Sequence, residues 1–279
     1  MSKRDGRDPG AQSDVHNERG IELADRGWLD EAIKEFRKAI ALDPESPHAH
    51  DNLASVFAEK KLFRDALTEY LEALRLDPES PTAHYNLGCF LTANALDMAV
   101  DEFEEALAAD PEYADAHLNL GLTLADLGRL EDAAKAMRRA IDLAPDDAYA
   151  RHELALLSMD QGDYRGAIGL LKDVVRIEPD NFDAHADLGI SYAQKGFYEE
   201  AERAYQKAVD LKPDDALVVY NLAALYALWG RPDAALEHLR KAVGLDAVRV
   251  RQWLSTDAMF DALKTQPGFD AIVSPAATE

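Results

Sequence analysis

The stretch ALDPES at residues 41–46 decides the fold, because close copies of it return at an almost constant interval. The later copies read RLDPES (75–80), AADPEY (108–113), DLAPDD (142–147), RIEPDN (176–181) and DLKPDD (210–215). Counted from Pro44, their prolines are separated by 34, 33, 34, 34 and 34 residues. A fixed period of this length is typical of a stacked array of supersecondary units.

Each period predicts two helices joined by a tight turn. In the fourth period, an apolar stripe with the i, i+3, i+4, i+7 spacing of a helix is formed by His117, Leu120, Gly121 and Leu124. Gly128 then supplies the left-handed residue that ends a helix, and a second apolar stripe follows it. Equivalent turn residues are Gly27, Gly162, Gly196 and Gly230, with Asn94 in the shorter third period.

Small residues recur where the two helices of a unit must cross closely. Counted from the start of each period, the twentieth position is always alanine, and the eighth is glycine or alanine. Larger side chains there would hold the two helices apart. At the junctions, the predicted N-caps of the following helices are Ser46, Ser80, Asp147, Asn181 and Asp215.

These residues resemble the tetratricopeptide repeat (TPR). The sixth period matches the family pattern with Leu188, Gly189, Tyr192, Gly196, Ala201, Tyr205, Ala208 and Pro213. The resemblance implies an all-α, TPR-type α-solenoid, a right-handed superhelix of about seven helical hairpins whose first helices line the concave side. The sequence departs from the pattern at the fourth position, where histidine replaces the usual tryptophan.

The period also predicts the organisation of the chain. We expect a flexible N-terminal arm at 1–12, seven TPR-like repeats over 13–249, and a helical capping segment at 250–279 that resembles those of bacterial TPR proteins. The repeats are predicted at 13–46, 47–80, 81–113, 114–147, 148–181, 182–215 and 216–249. Thr256 is expected to cap a short helix in the last segment. The residues expected to cover the seventh hairpin are Phe260, Leu263, Phe269 and Ile272.

The charge and the apolar content of the chain indicate which partners it could bind and in which compartment it is expected. The 279 residues include 53 acidic and 30 basic side chains, with a formal net charge of −23. Such a surface is expected to repel nucleic acid and anionic membranes and to attract neutral or basic partners. Met1–Gly20 contains no apolar run and no segment reaches membrane-spanning length, so we expect a cytoplasmic protein. Cys89 is the only cysteine and is expected to be an ordinary small side chain.

No nucleotide-binding or hydrolase motif occurs, so we predict that the protein is not an enzyme and has no cofactor. The tempting metal cluster is the set of fourth-position histidines, His16, His50, His84, His117 and His185. Equivalent positions on neighbouring repeats lie about 10 Å apart, whereas the ligand atoms of one metal lie within about 4 Å of each other. Each imidazole is therefore expected to pack in the place of tryptophan.

The candidate binding surface comes from positions that the core does not use. Positions 2, 6, 9 and 13 of each first helix point away from its apolar stripe. The sixth position is asparagine in four repeats, at Asn52, Asn86, Asn119 and Asn221. Because an amide both donates and accepts, such a row is predicted to bind the backbone of an extended peptide, similar to the asparagine row of the O-GlcNAc transferase repeat arm. The alternative is that duplication copied a consensus asparagine without function.

The same 28 positions contain ten acids and neither lysine nor arginine. The acids predicted to face a partner in the groove are Asp115, Asp126, Glu153, Asp160 and Asp187. They are alternatively a solvated acidic face. The absence of cations argues against a carboxylate clamp, because that device requires them.

The sequence therefore predicts a non-catalytic interaction module, an adaptor or scaffold that binds a protein or peptide segment in its concave groove. Two alternatives stay open. One is a self-assembling scaffold in which repeat ends or convex faces stack between copies. The other is a regulatory or docking subunit for an enzyme on another chain.

Overall fold

A computed structural model of the chain describes residues 9–93 and 95–273. These residues form seven consecutive helical hairpins and contain no strand. The hairpins are α1 (Pro9–Asp25) with α2 (Leu29–Leu42), α3 (Pro47–Glu59) with α4 (Phe63–Leu76), α5 (Pro81–Leu91) with α6 (Leu96–Ala109), α7 (Ala114–Asp126) with α8 (Leu130–Leu143), α9 (Ala148–Asp160) with α10 (Tyr164–Ile177), α11 (Phe182–Gln194) with α12 (Tyr198–Leu211), and α13 (Ala216–Leu228) with α14 (Pro232–Leu245). The predicted all-α fold of repeated hairpins is confirmed.

A capping segment follows the seventh hairpin. It comprises α15 (Ala247–Thr256), a 3-10 helix (Ala258–Leu263) and α16 (Phe269–Val273). The chain divides into two compact units, Met1–Pro145 (unit 1) and Asp146–Glu279 (unit 2). In each unit the first helix of a hairpin packs against the second helix of the hairpin before it. No helix in the described ranges is long and apolar enough to cross a bilayer.

Small side chains set the distance between the two helices of a hairpin. The alanine at the twentieth position is fully buried in all seven hairpins, as Ala32, Ala66, Ala99, Ala133, Ala167, Ala201 and Ala235. A methyl group added to Gly20 would lie 2.5 Å from the ring of Phe36, and one added to Gly189 would lie 2.5 Å from the ring of Tyr205. The predicted role of the eighth position is therefore confirmed at its glycines, because a side chain of the second helix, a ring or Met137, rests directly on the backbone of the first.

The turn inside each hairpin needs a left-handed residue. Five glycines supply it with φ between 73° and 76°, namely Gly27, Gly128, Gly162, Gly196 and Gly230. In the second hairpin Lys61 takes this conformation with φ of 59°, and it is the one non-glycine residue with positive φ in the described part of the chain. The counterpart predicted in the third hairpin, Asn94, lies outside the described residues.

Four of the five predicted junction caps are confirmed. Side chains that accept a hydrogen bond from the first turn of the next helix are those of Ser80, Asp147, Asn181 and Asp215. Ser46 makes no such bond, so its predicted capping role is wrong. Pro47 still begins that helix, because the fixed φ of proline suits the first helical position.

The first helix begins earlier than the sequence suggested. Because α1 starts at Pro9, residues 9–12 are helical and the predicted flexible arm at 1–12 is wrong over that stretch. Residues 1–8 lie outside the described part of the chain. Ser13 helps to hold this helix in place, since its buried hydroxyl donates to the carbonyl oxygen of Ala39 at 3.0 Å.

The capping segment also begins early. Asp246 both ends α14 and caps α15, accepting from the backbone N–H of Arg249 at 3.0 Å, so no loop separates the two helices. Asp257, and not Thr256, caps the 3-10 helix. The predicted covering residues are buried in one cluster with side chains of the seventh hairpin, as expected for Phe260, Leu263, Phe269 and Ile272. A cap of this kind covers the apolar face that the last hairpin would otherwise expose.

Candidate functional site

The asparagine side chains of the unit 1 row form hydrogen bonds to the preceding hairpin, and we call these hydrogen bonds ties. In each case a sixth-position amide Nδ2 donates to a fifth-position side chain of the preceding hairpin. The bonds are Asn52 to Asn17 Oδ1 (3.0 Å), Asn86 to Asp51 Oδ2 (2.7 Å) and Asn119 to the Tyr85 hydroxyl (3.1 Å). The expectation that these side chains take no part in the fold is therefore wrong.

Unit 2 contains one tie of the same kind, made with other residues. Nε2 of His152, at the fifth position of its hairpin, lies 2.8 Å from Oδ2 of Asp187 at the sixth position of the next. This hydrogen bond raises the pKa of His152 above its ordinary value, although burial opposes it. Asn221 has Ala186 at the corresponding fifth position, so no such tie can form there. The sequence signal that could have revealed these ties is the spacing of their partners: the two residues of each tie lie 34 or 35 positions apart in the chain.

Each amide of the unit 1 row leaves its carbonyl oxygen uncommitted. Within residues 9–93 and 95–273, no hydrogen bond reaches Oδ1 of Asn52, Asn86 or Asn119. All three side chains are partly exposed. The row therefore presents one acceptor per hairpin, which is the group that a backbone N–H of an extended peptide requires.

Asp51 is a buried carboxyl within this row. It is 8% exposed, and its Oδ1 has no hydrogen-bond partner in the part of the chain that the structure describes. Burial raises the pKa of Asp51 to about 6, while the hydrogen bond from Asn86 and the charge of His48 act in the opposite direction. A titratable group thus lies between the first helices of hairpins 2 and 3.

The predicted groove acids fall on first helices in both units. In unit 1, Asp115 and Asp126 are exposed on α7. In unit 2, Asp160 is exposed, whereas Glu153 and Asp187 are partly buried. Apart from the contact between Asp187 and His152, these acids form no ion pair within the described ranges. The first helices therefore carry negative charge that no neighbouring lysine or arginine neutralises.

Unit 2 has an apolar pocket between α11 and α13. Its volume is about 210 Å³, and it is lined by Ile190, Ala193, Gln194, Tyr205, Asn221, Ala224, Leu225, Leu228 and Met259. Met259 belongs to the 3-10 helix of the cap, so the pocket unites residues that are distant in the sequence. Asn221 has no hydrogen-bond partner among the described residues. Apolar walls with the uncommitted amides of Asn221 and Gln194 suit an apolar side chain and the backbone next to it.

The fourth-position histidines are bonded within the fold. Nδ1 lies 2.6 Å from a glutamate Oε2 of the same hairpin in the pairs His16–Glu35, His50–Glu69 and His84–Glu102. Nε2 lies 2.9 to 3.3 Å from the carbonyl oxygen of a proline in the pairs His50–Pro44, His84–Pro78, His117–Pro111 and His185–Pro179. These rings therefore link helices and junctions as well as filling space. In the described ranges, no three His, Cys, Asp or Glu side chains are grouped to hold a metal.

Cys89 lies partly buried on α5 as a free thiol. Burial raises the pKa of this thiol above its ordinary value, although a hydrogen bond with Tyr85 opposes the rise. A thiol is a nucleophile only as the thiolate, which this environment disfavours.

Paired helices, a left-handed turn residue and fixed small positions define an α-helical repeat protein. Three family models match the sequence: "Cytochrome c-type biogenesis protein H TPR domain" at residues 103–218, "TPR repeat" at 20–61 and 63–89, and "Tetratricopeptide repeat" at 204–237. The chain belongs to the tetratricopeptide repeat family.

Solved structures agree with this assignment. YrrB, described as a TPR protein with an unusual peptide-binding site, is 30% identical, with a TM-score of 0.58 over 66% of this chain and 96% of its own. A structure of MamA (MSR-1 C2) is 26% identical, with a TM-score of 0.55 over 61% and 98% of the two chains. PilF of Pseudomonas aeruginosa, at 18% identity and a TM-score of 0.62 over 79% and 97%, shares the fold. Comparison with curated protein sequences finds no match.

Family and fold together support a protein-interaction module, and repeat proteins of this kind are generally non-catalytic.

Proposed function

We propose that this chain is an adaptor that binds an extended peptide segment of a partner protein, with one apolar side chain of the segment in the pocket between α11 and α13. The observation that carries the proposal is Asn221, an amide without a hydrogen-bond partner among the described residues, in the wall of an apolar pocket. The amide would donate to and accept from the peptide backbone while the pocket holds the neighbouring side chain.

The energy of such a contact is adequate for a reversible interaction. Burial of one leucine-sized side chain contributes roughly 1.5–3 kcal/mol, and each net hydrogen bond about 0.5–1.5 kcal/mol. Separately, within unit 1, the acceptor row of Asn52, Asn86 and Asn119 would bind backbone N–H groups of an extended segment. The peptide-binding site described for YrrB supports a peptide ligand for this chain as well.

Charge indicates the composition of the segment. The chain carries a formal net charge of −23, and the groove acids Asp115, Asp126, Glu153 and Asp160 have no cationic partner within the described ranges. A neutral or basic segment with an apolar anchor would therefore associate faster than an acidic one.

The test begins with peptides selected from a displayed random library against the full chain. Their affinities are then measured by fluorescence anisotropy for the wild type, Asn221→Ala and Leu228→Glu. The matched control is Leu217→Glu, because Leu217 lies on the same helix and is equally exposed (47%, against 46% for Leu228) but does not line the pocket. We expect about a 2- to 10-fold loss for Asn221→Ala and a larger loss for Leu228→Glu.

Selected peptides that bind both pocket variants as tightly as the wild type would contradict the proposal. Light-scattering mass over a concentration series distinguishes the main alternative. A mass that rises to a dimer or beyond, together with failure to select any peptide, would favour a self-assembling scaffold.

A further inference from the structure

A second apolar surface lies in unit 1, on the second helix of hairpin 2. We call Phe63, Leu67 and Leu71 the α4 stripe; they are 54, 37 and 53% exposed. Their i, i+4, i+8 spacing places them on one face of α4, along about 12 Å of its length. The stripe is an uncovered apolar ridge on a helix.

The repeat pattern does not require this ridge. At the position of Leu71 every other hairpin carries a polar or charged residue, namely Arg37, Glu104, Arg138, Lys172, Gln206 and Arg240. At the position of Leu67 the apolar residues of other hairpins are at most 9% exposed, as Ile33, Val100, Ala134, Ile168 and Leu236. Hairpin 2 therefore has a leucine, Leu71, where the other hairpins have a polar residue. It also has a second leucine, Leu67, that is more exposed than the apolar residues at the same position of other hairpins.

The neighbouring helix explains part of this exposure. α5 is 11 residues long, whereas α3 and α7 have 13. From α5, Phe90 packs against Tyr70 and Phe63, with ring centroids 5.4 and 6.2 Å apart. These contacts cover one edge of α4 and leave the stripe open.

Cations border the stripe although the chain is strongly acidic. At 100° of rotation per residue, Arg64 and Arg75 lie within about 40° of the last stripe residue, whereas Asp65 and Glu72 lie about 100° or more from it. Arg75 is neutralised by Glu72, whose carboxylate accepts two hydrogen bonds of 2.8 Å from its guanidinium. Arg64, and Lys61 just before α4, have no ion-pair partner among the described residues. The edge of the stripe thus offers uncompensated positive charge beside an apolar face.

We propose that the α4 stripe is a docking surface for an acidic amphipathic helix of a partner protein, separate from the peptide site of unit 2. Apolar side chains of that helix at i, i+4 and i+7 interdigitate with the stripe, and its carboxylates meet Lys61 and Arg64. The net charge of −23 opposes acidic ligands elsewhere on the surface. At 0.15 M ionic strength that repulsion is screened beyond about 8 Å, whereas charges in contact still attract.

The probe is a synthetic 18-residue peptide with leucines on one helical face and glutamates on the other, accompanied by a scrambled peptide of the same composition. Binding to the full chain is measured by fluorescence anisotropy at 0.15 M salt. We expect Leu71→Glu to weaken binding at least 10-fold and Arg64→Glu about 3- to 10-fold. The matched control is Arg165→Glu, because Arg165 is exposed at the equivalent position of hairpin 5 and should leave affinity unchanged.

A second variant, Leu71→Gln, repeats the test. Hairpin 6 has glutamine at the equivalent position, so the repeat fold accommodates this residue type. Absence of binding to the wild type, equal binding of the scrambled peptide, or unchanged affinity of both Leu71 variants would overturn the proposal. So would a wild-type dimer that Leu71→Glu converts to a monomer, because a second copy would then occupy the stripe.

Discussion

Among individual residues, Asp51 lowers the stability of the fold, because its tie to Asn86 requires a buried carboxyl group. The rise of its pKa from 3.8 to about 6 corresponds to about 3 kcal/mol against the ionised form in the folded state. Below pH 4 the carboxyl is protonated in both the folded and the unfolded chain. The penalty therefore grows as the pH rises from about 4 to about 6 and is constant above that range.

Between pH 4 and pH 7.5 the free energy of unfolding of Asp51→Asn should rise by up to about 3 kcal/mol relative to that of the wild type, because the amide removes the buried charge and still accepts from Asn86, while the cost of its unpaired N–H does not change with pH. The gain should shrink as the pH falls toward 5. Denaturant melts at pH 5.0, 6.0 and 7.5 measure it, all above the pI of about 4.6. The control is Asp115→Asn, at an exposed position. An equal gain at pH 5.0 and 7.5 would show that burial of charge is not the cause.

At the scale of the helix, two glycines of α10 have different roles. The N–H of Gly166 donates to the capping Asp163 carboxylate at 3.0 Å, and an added methyl group would lie 2.3 Å from that side chain. Gly169 is exposed, and apart from its chain neighbours and the backbone of its own helix no atom lies within 4 Å of an added methyl group. One glycine makes room for a cap, whereas the other only weakens the helix.

Gly169→Ala should therefore stabilise unit 2 by about 0.5–1 kcal/mol, because alanine lowers the entropy of the unfolded chain and suits the helix interior. Gly166→Ala should give no gain, because the cap must move. Thermal and urea melts of the two variants test the difference. Equal stabilisation by both would show that the Asp163 cap contributes nothing.

The period predicted the hairpins because several independent signals agree in every repeat, namely turn glycines, small crossing residues and apolar spacing. The features that the repeat period did not predict depend on contacts between one hairpin and the next, or between a hairpin and the cap. The tie from Asn86 to Asp51 is visible only when one hairpin is registered against the next, and the pocket needs Met259 from the cap. The glycines of α10 look alike in the sequence because a capping contact is set by three-dimensional geometry.

For the molecule as a whole, stability should be local because a repeat stack is held by contacts between neighbours. Phe260→Ala removes a fully buried ring from the cap and should cost unit 2 about 3–5 kcal/mol. Amide hydrogen exchange should then speed up in α13 and α14, while α2–α4 of unit 1 keep their protection. Met259→Ala, next to it and exposed, is the control. A uniform loss of protection along the whole chain would contradict this prediction.

The amide ties also bear on how a chain of this kind lengthens by gene duplication. A tandem copy of hairpin 3 would place a second Asn86 against Tyr85, which is the partner that Asn119 already uses. A tandem copy of hairpin 4 would instead place a second Asn119 against Leu118, which offers no acceptor. A copy inserted after the third hairpin therefore extends the row of ties by one, whereas a copy inserted after the fourth adds no tie, so the fifth-position side chains determine which duplicated hairpin is bonded to its neighbour.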